Sequence, residues 1–241
     1  GQKIYVDGYK GKVKWKVNKV EKDELDNLKK DYLSFQKDLF KFSKLSGETK
    51  DKKTISIKAN IEISSEVRMT SKYGAEGIGM YRTEFLFTNN EIFPSLDEQF
   101  HDYASLFDEN LFDEVTIRTL DIGGDKIQDY THLENNPALG LRGIRYSLAN
   151  PATFKTQLNA ILKVVEKKNK KIRILLPMIS NLIELDKSIK TIKEVQDSYD
   201  IDPNLISIGV VIETPSAVLL IKEICDSVDF VSIGTNDLIQ Y

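Results

Sequence analysis

Residues 228–238, with the sequence VDFVSIGTNDL, are the stretch that decides the fold. Their apolar part predicts a short buried strand, which glycine, threonine, asparagine and aspartate follow directly. Proteins of the α/β class deliver functional groups in this way, at the C-terminal end of a parallel strand. A plain turn would use the same residue types, because Asn and Asp tolerate tight backbone conformations, and for this stretch alone the turn is favoured. The functional interpretation gains weight because the same design recurs earlier in the chain.

From residue 54 onward, predicted strands alternate with predicted helices. The six strands cover residues 54–59, 77–81, 115–121, 172–178, 206–213 and 229–233. Helices between them include residues 153–168, 182–199 and 216–227. This alternation indicates a parallel sheet, either open or closed. An eight-stranded βα barrel normally needs about 250 residues. The chain therefore has either an open sheet or a barrel that stops two βα units short.

The first fifty residues follow a different pattern. Apolar residues alternate with lysines over residues 11–17, which predicts a half-exposed strand. From Leu25 to Phe42, apolar residues recur at helical spacing and predict a helix with one apolar stripe. That stripe could form a dimer seam, but packing against neighbours within the chain is favoured. Turn and charged residues over 46–53 then mark the expected domain boundary.

Composition excludes several classes of protein. A net charge of −3 and a pI of about 5.6 give no sign of a nucleic-acid partner. No apolar run reaches membrane-spanning length, and the N-terminus does not have the pattern of a signal peptide. The single cysteine, Cys225, cannot form an intrachain disulfide, which fits a cytoplasmic location. Only six of the 34 basic residues are arginines, which suggests that arginine is kept for bidentate binding of anions.

Four stretches place charged residues inside or directly after apolar segments, most of them marked by glycine. They are GIGMYRTEFLF (77–87), TIRTLDIGGDK (116–126), NPALGLRGIR (136–145) and IGVVIETP (208–215). Burying such charges without partners is costly, so they must neutralise one another or neutralise a ligand.

These charges sort into two groups by sign. The guanidinium groups that could bind an anion belong to Arg82, Arg118 and Arg142. Glu213 and Asp237 are carboxylates at the ends of successive predicted strands, and two carboxylates with substrate oxygens and water are a usual ligand set for Mg²⁺. Asn236 adds a neutral donor and acceptor. An internal network of ion pairs beneath the sheet explains the spacing equally well.

These stretches, together with LLPMIS (175–180), VIETPSA (211–217) and DFVSIGTNDLIQY (229–241), closely resemble enzyme I of the bacterial phosphotransferase system, the phosphoenolpyruvate–protein phosphotransferase. The resemblance covers nearly the whole chain. It implies that residues 1–22 are the end of a swivelling phosphohistidine domain and that residues 23–50 are a linker helix. Residues 51–241 would then be part of a TIM-type barrel that binds phosphoenolpyruvate (PEP), with about six of its eight βα units.

Carried over to matching positions, the resemblance assigns site residues. It implies that Arg82 and Arg118 bind the phosphate of PEP and that Arg142 lies on the same side of the site. Glu213 and Asp237 would hold Mg²⁺, and Asn236 with Asp237 would contact the substrate. The implied parent enzyme is a cytoplasmic homodimer that takes part in sugar uptake. It moves the phosphoryl group of PEP to its own histidine and on to the phosphocarrier protein HPr, releasing pyruvate.

The acceptor histidine and the cysteine acid of that family are expected to be absent here. His101 and His132 do not match the acceptor motif, and Cys225 lies in a predicted helix, which indicates packing. No catalytic residue is therefore assigned, and the fragment is expected to be inactive alone. Two alternatives stay open. The chain could be a fragment of pyruvate phosphate dikinase or PEP synthase, which would need a nucleotide-binding domain, or a non-catalytic fragment.

Overall fold

The computed structural model describes residues 3–88, 93–123 and 140–241. The chain divides into two units, with the boundary between Ile55 and Ser56. The first unit holds two antiparallel strand pairs and one long helix, namely β1 (Tyr5–Asp7) with β2 (Lys12–Lys14), α1 (Lys19–Phe42), and β3 (Gly47–Glu48) with β4 (Thr54–Ile55). The strand predicted over residues 11–17 is thus only three residues long.

Helix α1 begins with a capping box. The Asn18 side chain accepts a hydrogen bond from Glu21 N at 2.9 Å, and the Glu21 carboxylate accepts one from Asn18 N at 3.1 Å. These bonds satisfy backbone donors that the first turn leaves free. None of the α1 residues is buried, and its apolar stripe is exposed, as Leu28 and Phe35 show. Helix α1 therefore buries none of its apolar stripe, and the favoured packing of that stripe within the chain is not observed among the described residues.

The second unit carries the sheet and the helices that cover it. Its strands are β5 (Ala59–Ile61), β6 (Ile78–Arg82), β7 (Glu114–Arg118), β8 (Lys171–Leu176), β9 (Ile206–Ile212) and β10 (Phe230–Ile233). Its helices are α2 (Val67–Lys72), α3 (Glu84–Thr88), α4 (Leu96–Ser105), α5 (Ile144–Ala149), α6 (Pro151–Lys168), α7 (Leu182–Gln196), α8 (Pro215–Leu219), α9 (Ile221–Cys225) and α10 (Thr235–Gln240).

The six strands of this unit form one parallel sheet, in the same order as in the sequence. A doubly wound sheet would reverse its strand order at a switch point, whereas this one winds in a single direction, as a βα barrel does. The sheet is the curled part of such a barrel, with β5 at one edge and β10 at the other. This arrangement confirms the predicted incomplete TIM-type barrel.

Several predicted elements differ in detail, and the strand predicted over residues 115–121 is Glu114–Arg118. The first strand of the sheet is Ala59–Ile61 rather than residues 54–59, because Thr54–Ile55 pairs antiparallel with β3 in the other unit. The helix predicted over residues 216–227 is two helices, α8 and α9, which meet at Leu220.

The core lies between the sheet and its helices. Ile78, Ile117 and Ile174 on consecutive strands are completely buried, and α6 buries eight residues against them. Each fully buried side chain of this kind stabilises the fold by roughly 1.5–3 kcal/mol. Because the strands are anchored in this core, the residues at their ends are held in fixed positions.

Gly209 makes a close approach between β9 and β10 possible. A Cβ at this position would lie 2.4–2.6 Å from ring atoms of Phe230, its register partner. We expect Gly209→Ala to lower the free energy of unfolding by about 1–3 kcal/mol through overpacking. Chemical denaturation checks this, with Gly77→Ala as the matched control, because a Cβ there meets only the Lys58 side chain at 3.5 Å. Equal losses in both variants would contradict the prediction.

Candidate functional site

Charged residues singled out from the sequence meet at the carboxyl edge of the sheet. Arg82 and Arg118 end the neighbouring strands β6 and β7, where they are register partners. Glu213 directly follows β9, and Asp237 lies in α10, which follows β10. Because all strands of a parallel sheet run in the same direction, residues at their carboxyl ends lie at the same edge of the sheet. Barrel enzymes carry their active sites at that edge.

A buried carboxylate joins two of the arginines. Asp121, whose side chain is 1% exposed, has Oδ2 at 3.0 Å from Nη1 of Arg118. Its Oδ1 lies 2.9 Å from Nε of Arg142, and its Oδ2 lies 3.0 Å from Nη2 of the same residue. The two guanidinium groups are therefore held side by side by one acid.

Arg142 also connects two segments that are far apart in the sequence. Its Nη1 donates to Oδ1 of Asp237 at 2.8 Å, so it links the segment after β7 to the segment after β10. Burial opposes its charge, but hydrogen bonds to Asp121 and Asp237 outweigh burial and raise its pKa. The next residue, Gly143, has φ of +60°, and a Cβ there would lie 2.9 Å from Cγ of Met178. Glycine thus allows Arg142 to turn into the site.

Arg118 has a second acid partner. Its Nη2 lies 3.0 Å from Oε1 of Glu84, which also accepts from the backbone N–H of Asp121 at 3.1 Å. Burial raises the pKa of Glu84, against the attraction of Arg118. Burial also opposes the charge of Arg118, yet the charges of Glu84, Asp121 and Glu213 raise its pKa. The Arg118 guanidinium therefore stays protonated.

Glu213 is a second acid at this edge whose pKa is raised. It is 2% exposed, and its Oε1 accepts from the backbone N–H of Met178 at 2.6 Å. Burial is the main cause that raises its pKa to about 7, and the charges of Asp121 and Asp237 add to it. The Met178 N–H and the charge of Arg118 oppose the shift. Near neutral pH, this carboxyl group is close to its titration midpoint.

Acids outnumber arginines in this cluster. The guanidinium groups of Arg118 and Arg142 share it with the carboxyl groups of Glu84, Asp121, Glu213 and Asp237. The excess negative charge adds to the effect of burial in raising the pKa of Glu213, and it would repel a bare anion. A divalent cation would compensate it.

Glu213 and Asp237 suit such a cation. They follow the neighbouring strands β9 and β10, and two carboxylates are a typical protein contribution to Mg²⁺, which keeps water and substrate oxygens as its other ligands. Within the described ranges, no group of three or more His, Cys, Asp or Glu residues forms a metal site supplied by the protein alone. The residues present fit Mg²⁺ held jointly with a ligand.

Arg82 and Asn236 lie at the same edge but apart from the ion pairs centred on Asp121. Arg82 donates to Oε1 of Glu62 at 2.7 Å, and its side chain is 36% exposed. Asn236 is exposed near the start of α10. The structure thus brings Arg118, Arg142 and the two predicted metal ligands into one cluster and leaves these two residues at its rim.

Sequence reasoning assigned no role to Glu84 and Asp121, which both belong to the cluster. A signal for them exists, because each acid follows an arginine by two or three positions where a strand has just ended. Their ion pairs are the internal network that the sequence left as an equal alternative.

Other reactive side chains lie outside the cluster. His101 is exposed on α4, and His132 lies outside the described residues. Cys225 is exposed at the end of α9, so its interpretation as a packing residue is wrong. Across the described part of the chain, no helix combines the length and the apolar character needed to cross a membrane.

Known proteins resemble the chain over most of its length. A family model described as "PEP-utilising enzyme, PEP-binding domain" matches residues 36–241. A phosphoenolpyruvate-protein phosphotransferase of Buchnera aphidicola subsp. Baizongia pistaciae is 37% identical over an alignment of 244 positions, which covers 99% of this chain and 42% of that protein. Its namesake in Mycoplasma pneumoniae is 35% identical over 243 residues, with coverage of 100% and 42%. A multiphosphoryl transfer protein of Rhodobacter capsulatus is 42% identical over 195 residues, or 80% of this chain and 23% of that protein. The chain therefore spans well under half the length of these relatives.

Proposed function

The chain belongs to the family of PEP-utilising enzymes, in which it matches the PEP-binding domain, and on that premise we propose that it binds PEP together with Mg²⁺ at the carboxyl edge of its sheet. One observation carries the proposal. Two partly buried guanidinium groups and two carboxylates meet at the same edge, and they belong to Arg118, Arg142, Glu213 and Asp237. PEP, an anion with a phosphate and a carboxylate, needs both kinds of group.

Each residue has a defined task in this proposal. Arg118 and Arg142 neutralise the phosphate oxygens, and Arg82 reaches them from the rim. Among the described residues, the buried Nε of Arg118 has no hydrogen-bond partner. Asn236 contacts the substrate beside Asp237. Arginine forks of this kind suit phosphate and carboxylate geometry.

Glu213 and Asp237 hold Mg²⁺ in the proposed site. When bound, the ion withdraws charge from the substrate oxygens, and its own charge offsets the excess of acid in the cluster. Glu213 must lose its proton to act as a ligand, which its pKa of about 7 permits at neutral pH.

We further propose that the chain is part of a phosphoenolpyruvate–protein phosphotransferase, as the names of its relatives suggest. In that reaction the P–O bond of PEP breaks and a P–N bond to a histidine of the parent protein forms. The enolate takes up a proton and leaves as pyruvate. The phosphoryl group then passes to HPr, which serves sugar uptake. We propose that the parent enzyme is a cytoplasmic homodimer. Positioning and charge neutralisation supply most of the catalysis in phosphoryl transfer, and these are what the cluster offers.

Calorimetric titration of the chain with PEP tests the proposal. We expect binding in the presence of Mg²⁺, and we expect Asp237→Asn to weaken it by about 10–100-fold, because a metal ligand and a partner of Arg142 are lost together. The control is Arg68→Ala, which removes an exposed arginine of α2 and should leave binding unchanged. No heat with millimolar PEP and Mg²⁺ would contradict the proposal and favour a non-catalytic fragment.

A further inference from the structure

A buried glutamine of α6, Gln157, bonds to the backbone that carries the arginines. The residue is 1% exposed, and its amide oxygen accepts from the backbone N–H of Leu120 at 2.9 Å. Its amide nitrogen donates to Oγ1 of Thr83 at 3.2 Å and to Oη of Tyr103 at 3.2 Å. One side chain thus ties together the residues just after β6 and β7 and a tyrosine of α4.

The partners of this amide adjoin the charged residues directly. Thr83 follows Arg82, and its hydroxyl donates to the backbone oxygen of Arg118 at 3.1 Å. Leu120 precedes Asp121 in the sequence. The buried amide therefore constrains the backbone beside Arg82, Arg118 and Asp121, although it contacts none of their charged groups.

The hydrogen-bond polarity of this network calls for a primary amide. The hydroxyl of Thr83 already gives its proton to the backbone of Arg118, and the hydroxyl of Tyr103 gives its proton to Oε1 of Gln99 at 3.1 Å. Both hydroxyls can therefore only accept from residue 157, while Leu120 N–H needs an acceptor there. A glutamine side chain supplies two donors and one acceptor at once.

We propose that Gln157 is a positioning residue for the anion site, an inference that rests on the proposed function. By joining the ends of β6 and β7, it keeps the guanidinium groups of Arg82 and Arg118 at the spacing that one phosphate requires. Small displacements of binding groups have large effects on affinity and rate, so this role is measurable.

Two variants of the same network separate positioning from general stability. Gln157→Met keeps the length of the side chain but loses all three hydrogen bonds. Tyr103→Phe loses the bond from Gln157 and the bond to Gln99 but leaves the bonds of Gln157 to Leu120 and Thr83 intact. We expect Gln157→Met to weaken PEP binding in Mg²⁺ by about 10–100-fold. Tyr103→Phe should change it less than about twofold, although both variants lower the melting temperature.

Amide hydrogen exchange supplies a readout that needs no ligand. In the Gln157→Met variant, exchange of the Leu120 amide should accelerate beyond the change in global stability, and the Nε–H resonance of Arg118 should shift. Neither change is expected in Tyr103→Phe.

The outcomes distinguish this inference from the proposed function. If Gln157→Met binds PEP as the unmodified chain does, or if both variants lose affinity equally, Gln157 has only a structural role. If the unmodified chain binds no PEP, the proposed function fails. The Leu120 and Arg118 resonances then still decide whether the glutamine positions this edge, since unchanged resonances would overturn that idea as well.

Discussion

Replacing Arg118 with alanine is expected to weaken PEP binding by about 100-fold or more. Its side chain is 13% exposed and its guanidinium lies in the charged cluster, so its attraction for an anion is only weakly screened by water. Loss of one member of a buried, hydrogen-bonded charge pair typically costs about 2–5 kcal/mol, and about 1.4 kcal/mol corresponds to tenfold in affinity. Calorimetry with PEP at saturating Mg²⁺ measures the effect.

Stability must be separated from binding in this experiment. Without Arg118, the carboxylates of Glu84 and Asp121 lose a buried partner, which destabilises the fold by about 3–5 kcal/mol. Arg118→Lys keeps the positive charge and loses the bidentate fork, so it should retain most of the stability and still lose at least about tenfold in affinity. If the lysine variant binds PEP as well as the unmodified chain, fork geometry is not what the site uses.

Two strand ends were predictable because a charged residue marks them in the sequence. An apolar run that stops at a charged residue placed Arg82 and Glu213 correctly at one edge of the sheet, whereas the strand predicted over residues 115–121 ends at Arg118. The alternation of strands and helices likewise predicted the number of strands. Both signals are local, since they depend on residues within one element.

The pairing inside the cluster could not be predicted from such local signals. Arg142 and Asp237 are 95 residues apart, and Gln157 reaches Leu120 across 37 residues. Which acid an arginine selects depends on how the barrel curves and on how far a loop reaches, and neither is encoded in spacing along the chain. For the same reason, the sequence left an internal ion-pair network and a ligand site as equal alternatives.

The structure indicates that the two alternatives are compatible. A site in which acids outnumber arginines holds its guanidinium groups in place without a ligand, because each already has a carboxylate partner. Mg²⁺ would offset the excess negative charge and leave the arginines free to attract the phosphate. Binding of PEP and of the cation should therefore be mutually dependent.

Glu213 makes Mg²⁺ binding dependent on pH. Its pKa is about 7, and the cation needs the ionised carboxylate, so affinity for Mg²⁺ should fall about tenfold for each pH unit below that value. Above pH 8 the affinity should level off. Glu213→Gln should remove the pH dependence along with most of the Mg²⁺ binding. Calorimetric titrations with MgCl₂ between pH 5.5 and 8.5 check this.

Ionisation of Glu213, which strengthens Mg²⁺ binding, lowers the stability of the metal-free chain. The folded-state pKa of this carboxyl group lies above the ordinary value of 4.5, so ionisation is disfavoured in the folded protein. The stabilising contribution of the protonated form is complete below pH 4.5 and is lost as pH rises through 7, a change of about 3 kcal/mol.

Glu213→Gln should remove this loss, so the variant should be more stable than the unmodified metal-free chain at pH 8. The exposed Glu223→Gln of α9 is the matched control and should leave both the stability and its pH dependence unchanged. A Glu213→Gln variant less stable than the unmodified chain at pH 8 would show that the buried carboxylate is not destabilising.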